Sequence, residues 1–421
     1  MSKYVIRGGE RLKGEIKVAG SKNAVLPLMA AALLTSDECV LTNVPDIKDV
    51  EVMTELLRGL GAAAEYDKSK RRLVIKAEKI LSTEPQKDLT AKLRASVLLA
   101  GPLLGRFGQT TLHSSGGDKI GLRPIDTHLS GFVSLGAQIA HKEDYYVLSA
   151  KKLAGSKIVL EESSVTATEN MLMAAVLASG TTVIKLAATE PHVQQLGEFL
   201  NLMGAKITGV GTPTIVIEGV ESLHGAKIEV IPDSSEAATF ITIAAATKSN
   251  VRITGLNPEF LDDFFLKLKL MSVNFEVGSD YVDVKTPEGE YKALPKLQVG
   301  LYPKLASDDV PVLSVLATQC AGETIIYEWL YENRLGYSPE LNKMGANTQI
   351  LDPHRVKIVG PTKLKAANLR CLDIRNGMAL VAAALTAEGT SEITDIHHID
   401  RGYEHLEERL GALGADIKRV E

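Results

Sequence analysis

Six stretches of small and aliphatic residues recur along the chain: Leu26–Leu34, Ala95–Leu104, Met171–Ala178, Phe240–Ala246, Val312–Cys320 and Ala379–Leu385. Each is apolar nearly all the way round at helical spacing. A helix with no polar face is buried on every side. Downstream of each comes a second, half-polar helical pattern that ends on one signature. It reads Leu60-Gly-Ala62, Leu135-Gly-Ala137, Met203-Gly-Ala205, Met344-Gly-Ala346 and Leu413-Gly-Ala415, with a degraded copy at Met271-Ser-Val273. The glycine ends a helix and a strand follows, as at Ala205-Lys-Ile207. Strands rich in β-branched residues also follow the apolar helices, as in Gly180-Thr-Thr-Val-Ile184.

The copies lie about 68 to 75 residues apart. That period exceeds the usual solenoid range, so closed domains of three units are expected rather than an open array. The predicted fold class is α/β: two inside-out domains, each of three pseudo-symmetric repeats with buried helices and outer sheets. One domain is discontinuous, 1–21 plus 231–421, and holds both termini. The other, 22–230, is inserted and carries a mobile, glycine-rich loop around 114–124, where the Gly116-Gly117 pair gives the backbone freedom. Two crossings between the domains make a hinge for closure.

A chain of 421 residues supports two cores. Its formal net charge of -5 argues against a nucleic-acid footprint. The cysteines Cys39, Cys320 and Cys371 are scattered, with no metal-ligand spacing. The start lacks the apolar core of a signal peptide, and Leu26–Leu34 is too short for a bilayer. A soluble cytoplasmic protein is expected, with no membrane, nucleic-acid or obligate protein partner, and no metal or organic cofactor.

Polar residues accumulate at the starts of the apolar helices. Lys22-Asn23 follows Ala-Gly-Ser, and Arg94 opens the second helix. Thr168-Glu169-Asn170 are placed before the third, and Asp233 and Glu236 before the fourth. Asp308-Asp309 precede the fifth and Arg375 the sixth. Each is either a helix cap or dipole partner, or part of one binding site. Lys22 is likewise either a phosphate-site lysine or an exposed residue after an N-cap serine. The densest segment is Ser115-Gly-Gly-Asp118-Lys-Ile-Gly-Leu-Arg123-Pro-Ile-Asp126-Thr-His128, an acid and a base on one loop. Arg334 and Arg401 add guanidinium groups suited to carboxylate or phosphate. His397-His398 lacks a third metal ligand at a convincing spacing.

Together these motifs resemble the UDP-N-acetylglucosamine 1-carboxyvinyltransferase family of enolpyruvyl transferases. The marks are Gly20-Ser-Lys22-Asn23-Ala, Leu93-Arg94-Ala-Ser, the Gly116–His128 loop, Thr166-Ala-Thr-Glu-Asn170 and His398-Ile-Asp-Arg401-Gly-Tyr. They span essentially the whole chain. The resemblance implies transfer of the enolpyruvyl group of phosphoenolpyruvate to the 3-hydroxyl of UDP-N-acetylglucosamine, with release of phosphate, at the start of peptidoglycan precursor synthesis.

It also implies roles. Lys22, Arg123 and Arg401 match residues on the phosphate and carboxylate of phosphoenolpyruvate. Arg94 matches the nucleotide-sugar site, and Asn23 and Asp308 match sugar contacts, with Asp308 as base toward the 3-hydroxyl. Arg123, Pro124, Ile125, Asp126 and Thr127, with Ser164 and Val165, match the uridine surface. Leu330 matches a backbone contact to the sugar's substituent. Arg334 and Arg375 join the substrate-binding set, and Asp118, Asp308, Lys22 and Arg401 the catalytic one.

The chain departs from most members by carrying Asp118 where they have cysteine. A carboxyl donates a proton only when protonated, so a lower pH optimum is expected. A carboxylate is also a poor nucleophile toward the epoxide fosfomycin, so insensitivity is expected. Glu162 and Thr166 stand where members often have Lys and Gly. Three other readings compete with this one. A 5-enolpyruvylshikimate-3-phosphate synthase would show Lys-Ser at the start and lack the Gly-Gly-Asp loop. A silent paralogue would have lost Lys22, Arg123, Asp308 or Arg401, and all four are present. An RNA-terminal cyclase fits poorly with the acidic charge.

Overall fold

The computed structural model describes residues 2–118 and 120–421. The chain divides into two compact units. The first comprises Met1–Ala19, Asp118–Leu122 and Pro232–Glu421; the second comprises Gly20–Gly117 and Arg123–Ile231. Each has its own hydrophobic core.

In the first unit the apolar helices are Ser234–Ala246, Val310–Thr318 and Ile374–Thr386, which pack pairwise on one another. Alanines at the contacts, such as Ala244, Ala245, Ala382 and Ala383, are fully buried and let the backbones approach. In the second unit the apolar helices are Lys22–Ala31, Ala100–Phe107 and Val165–Ala175. The first two continue into or out of 3-10 turns at Ala32–Leu34 and Arg94–Leu99.

The half-polar helices lie outside them. In Lys48–Leu60 the residues Val50, Met53, Leu57 and Leu60 are buried while Glu55 and Arg58 face water, a single apolar stripe. All six signatures close their helices in one way. The third residue returns its N–H to the carbonyl five residues back: Ala62 to Leu57, Ala137 to Phe132, Ala205 to Leu200, Val273 to Leu268, Ala346 to Leu341 and Ala415 to Leu410. The middle residue takes the left-handed backbone this cap requires. It is glycine five times, with φ from 84° to 104°, and Ser272 at φ 62° in the degraded copy.

Among the described residues the strands form six sheets, five of four strands and one of three. The rule is a short parallel strand beside the strand that follows an apolar helix, then an antiparallel hairpin. Lys227–Glu229 runs parallel to Glu38–Thr42, and Lys157–Val159 to Thr181–Lys185. Lys13–Lys17, Lys296–Gln298 and Asn368–Arg370 do the same in the first unit. Lys3–Gly8 pairs with both Gly389–Thr394 and Asp416–Val420, which ties the N-terminal strand to the C-terminal one.

Thr168–Asn170 and Glu236 lie inside their helices, not before them as expected. Ser164 and Asp233 cap those helices further upstream, accepting from the amides of Ala167 and Glu236. Thr168, Asn170 and Glu236 are tolerated because the fold supplies partners, while Glu169 is buried with one oxygen unpartnered and its carboxyl raised well above the ordinary value by burial. Asn170 donates to Val97 O and accepts from Gly101 N, and Glu236 accepts from Ala19 N.

Candidate active site

In the first unit the acid of the glycine loop meets an arginine far along the chain. Arg401 Nη1 lies 2.6 Å from Asp118 Oδ1, with both side chains about one-seventh exposed. That oxygen accepts from the guanidinium. Lys119, in the same loop, lies outside the described residues.

Asp308 stands at the start of the fifth apolar helix, in the turn Ser307–Asp309. It is gripped from two sides. Arg334 Nη2 donates to Oδ1 at 2.5 Å, and Arg375 Nε donates to Oδ2 at 2.9 Å. Arg375 Nη1 also donates to Tyr403 Oη at 2.8 Å, and that hydroxyl meets Thr239 Oγ1. Arg334 Nε donates to Ser307 Oγ, whose hydroxyl in turn donates to Glu328 Oε2. Both arginines are almost fully buried, and Asp308 is the more open member. Buried guanidinium groups need such partners. The carboxylate therefore has a fixed direction and an edge open to solvent.

The neighbouring Asp309 is held quite differently. Burial pushes its carboxyl well above the ordinary range, the Asp308 charge adds to this, and Arg375 and Arg334 oppose it. Its Oδ1 is buried without a hydrogen-bond partner. Two adjacent acids thus have opposite environments. Asp373 caps the sixth apolar helix, accepting from the amides of Arg375 and Asn376. Burial raises its carboxyl; Arg334 opposes this, while the Asp118 charge adds to it. Leu330 N–H is already given to Glu328 Oε1 at 3.1 Å, so its amide is committed.

In the second unit Lys22 is the first residue of its helix, capped by Ser21, whose Oγ accepts from Ala24 N. Lys22 Nζ pairs with the buried Asp49 at 2.7 Å. Asn23 beside it is exposed. Arg94 Nη1 donates to Ser115 Oγ at 2.9 Å and Nη2 to Arg123 O at 2.6 Å. Arg123 itself has φ 48°, a strained setting for a non-glycine residue that the arginine clamp helps hold.

The paired glycines are close-approach residues as much as flexible ones. A Cβ on Gly116 would stand 1.8 Å from Ala91 O, and one on Gly117, at φ 107°, 2.7 Å from Arg94 Cβ. Pro124 and Ile125 lead into the helix Asp126–Ser134, whose Asp126 is exposed and Thr127 buried.

His128 joins the helix Asp126–Ser134 to the helix Val165–Ala175 by side-chain hydrogen bonds. Asn170 Nδ2 donates to its Nδ1 at 2.9 Å, which leaves Nε2–H to donate to Thr166 Oγ1 at 3.1 Å. Burial, and secondarily the Arg94 charge, pull its titration down to about 3, so the ring is neutral. The Asn170 amide, whose oxygen is taken by Gly101 N, fixes that tautomer, and the Thr166 hydroxyl accepts the remaining N–H. Ser164 and Val165 form the cap and first residue of the same helix.

Sequence reasoning missed Asp49, Glu328 and Glu332. Asp49 lies in the acidic first turn of Lys48–Leu60, where a dipole partner is the ordinary reading. Only folding brings it to Lys22. Among the described residues no group of three His, Cys, Asp or Glu side chains could hold a metal ion, and no helix is long and apolar enough to cross a membrane.

The family described as EPSP synthase (3-phosphoshikimate 1-carboxyvinyltransferase) matches residues 6–410. The UDP-N-acetylglucosamine 1-carboxyvinyltransferase of Bradyrhizobium diazoefficiens is 43% identical over 425 residues, 99% of this chain and 98% of that one. UDP-N-acetylglucosamine 1-carboxyvinyltransferase 1 of Symbiobacterium thermophilum is 44% identical, covering 99% and 95%. The crystal structure of the enolpyruvyl transferase NikO from Streptomyces tendae superposes with a TM-score of 0.90 at 28% identity, over 100% of this chain and 99% of that one. EPSP synthase from Acinetobacter baumannii shares the fold, with a TM-score of 0.78 at 18% identity over the whole of both chains. With a full-length match at this identity, and a fold common to enolpyruvyl transferases, the chain belongs to the EPSP synthase family and, within it, to the UDP-N-acetylglucosamine 1-carboxyvinyltransferases.

Proposed function

We propose that this enzyme transfers the enolpyruvyl group of phosphoenolpyruvate to the 3-hydroxyl of UDP-N-acetylglucosamine and releases phosphate, as a step toward peptidoglycan in the cytoplasm. The observation that carries this reading is full-length identity above 40% to proteins bearing that acceptor in their names.

The reaction is an addition followed by an elimination. A proton is added to C3 of phosphoenolpyruvate, C2 becomes cation-like, and the sugar oxygen bonds to it as the hydroxyl proton leaves. The tetrahedral ketal then loses a C3 proton and phosphate, restoring the double bond. Lys22, Arg123 and Arg401 hold the donor's phosphate and carboxylate, where fixed cations stabilise developing charge. Arg94 serves the nucleotide sugar. The stretch from Arg123 through Pro124, Ile125 and Asp126 to Thr127, with Ser164 and Val165, serves the uridine. Asn23 and the backbone of Leu330 serve the sugar.

Asp308 takes the 3-hydroxyl proton. Arg334 and Arg375 aim its carboxylate and weaken it as a base, so its first task is orientation of the hydroxyl. Asp118 is the acid of the loop, and the enzyme is insensitive to fosfomycin because no thiolate stands there. The test is phosphate release from phosphoenolpyruvate with UDP-N-acetylglucosamine, with shikimate 3-phosphate, and with neither. Release only with the nucleotide sugar is expected. Release with shikimate 3-phosphate instead, or no release across a range of pH, would overturn the reading.

A further inference from the structure

The stretch that follows Asp118 is anchored in the first unit at two backbone points. Leu122 N donates to Glu332 Oε1 at 2.9 Å, and Asn333 N donates to Ile120 O at 3.0 Å. Ile120 is buried between these anchors, while Leu122 is almost fully exposed. Gly121 makes room for the arrangement. A Cβ there would stand 2.5 Å from Glu332 Oε2, inside contact distance. The amide of Glu332 itself and that of Leu122 both hold its carboxyl below the ordinary value. Two residues along, Arg334 grips Asp308.

One short turn therefore carries both the anchor of the Asp118 loop and the clamp on Asp308. We propose that Glu332 is a positioning residue for the transfer: by accepting the Leu122 amide it sets the loop so that Asp118 meets Arg401. The residue touches neither substrate nor reacting atom in this reading. It acts through the backbone of 120–122, and Asn333 fixes the register beside it. What the position requires is a hydrogen-bond acceptor of the right length; the negative charge is secondary. The inference rests on the transfer proposed above.

The test compares Glu332→Ala, Glu332→Gln and Gly121→Ala in the full-length enzyme, by phosphate release and by hydrogen exchange over residues 114–124. Glu332→Ala is expected to lower kcat by about tenfold or more, the scale of one lost bond to a charged acceptor. Its thermal midpoint should be unchanged and exchange across the loop faster. Glu332→Gln, whose amide oxygen still accepts, should recover most of the loss. Gly121→Ala should repeat the defect with Glu332 intact, because the methyl occupies the carboxylate's place. A wild-type enzyme without sugar-dependent release overturns the function proposed above. An active wild type with an equally active Glu332→Ala overturns only the positioning role. Equal loss in the Ala and Gln variants also overturns it, because an acceptor is then not what matters.

Discussion

Arg401 reaches Asp118 across 283 positions of sequence, with Nη1 and Oδ1 2.6 Å apart. The carboxylate of the glycine loop is thus held by an arginine from a distant part of the chain. An acid in such a place works only while it carries a proton, and an ordinary carboxyl releases its proton about four to five pH units below a thiol. Activity of the wild type is therefore expected to decline at lower pH than that of Asp118→Cys. A pH–rate profile of the two proteins with coincident alkaline limbs would refute this.

The same substitution bears on fosfomycin. Alkylation by the epoxide needs a thiolate at the loop to open the ring, and the three cysteines present, Cys39, Cys320 and Cys371, are all buried. Intact-mass measurement should find no adduct on the wild type after incubation, and one per chain on Asp118→Cys.

Asp308 is the common partner of two buried arginines. Asp308→Ala leaves both guanidinium groups facing an uncompensated gap. A loss of about 3 kcal/mol in stability is expected, together with loss of turnover. Asp308→Asn keeps the shape and one acceptor, so it should recover part of the stability and little of the activity. Denaturant midpoints alongside phosphate release separate the two effects.

Ser272 occupies the left-handed position that glycine fills in the other five signatures. A side chain there costs roughly 1 kcal/mol. Ser272→Gly should raise stability by about that much and leave kcat and KM unchanged. Thermal unfolding that shows no gain would mean the serine's own contacts offset the backbone strain.

His128 is neutral in the fold, its titration pulled down to about 3 by burial and then by Arg94. An unfolded histidine takes a proton near pH 6.5, so between about 6.5 and 3 the unfolded chain binds one proton more. Its contribution to stability is full above that window and falls as pH is lowered through it. Glu169, Glu190 and Asp309 are raised by burial and slope the other way, holding protons in the fold. The difference between wild type and His128→Gln isolates the histidine: the variant should lose less stability on going from pH 7 to pH 4.5. Parallel pH dependences would rule this out.

The inside-out α/β architecture was legible because its causes are local. Helices apolar all round have nowhere to go but a core, and the Gly of each Leu-Gly-Ala marks the left-handed cap whatever lies nearby. The degraded Met271-Ser-Val273 could be recognised by its place in the period. Motif residues such as Lys22, Arg94 and Asp308 stood out for the same reason, at the starts of those helices, and Arg401 by its own motif. Their partners did not. Asp49 beside Lys22, Glu328 behind Ser307 and Glu332 under Leu122 read as ordinary surface acids, because nothing in their own neighbourhoods distinguishes them. The paired glycines looked like freedom to move, while the fold uses them for close approach to Ala91 and Arg94.

By itself, then, the sequence determined the repeats, the buried helices, the caps and the residue types needed for an anionic donor. Only the tertiary structure decided that Asp308 lies between two guanidinium groups, that Asp309 next to it is driven toward its neutral form, and that Asp118 faces Arg401. The physical reason is range. Helix propensity and capping depend on residues within one or two turns. The charge state and direction of a carboxyl depend on burial and on partners that the fold delivers from anywhere in the chain.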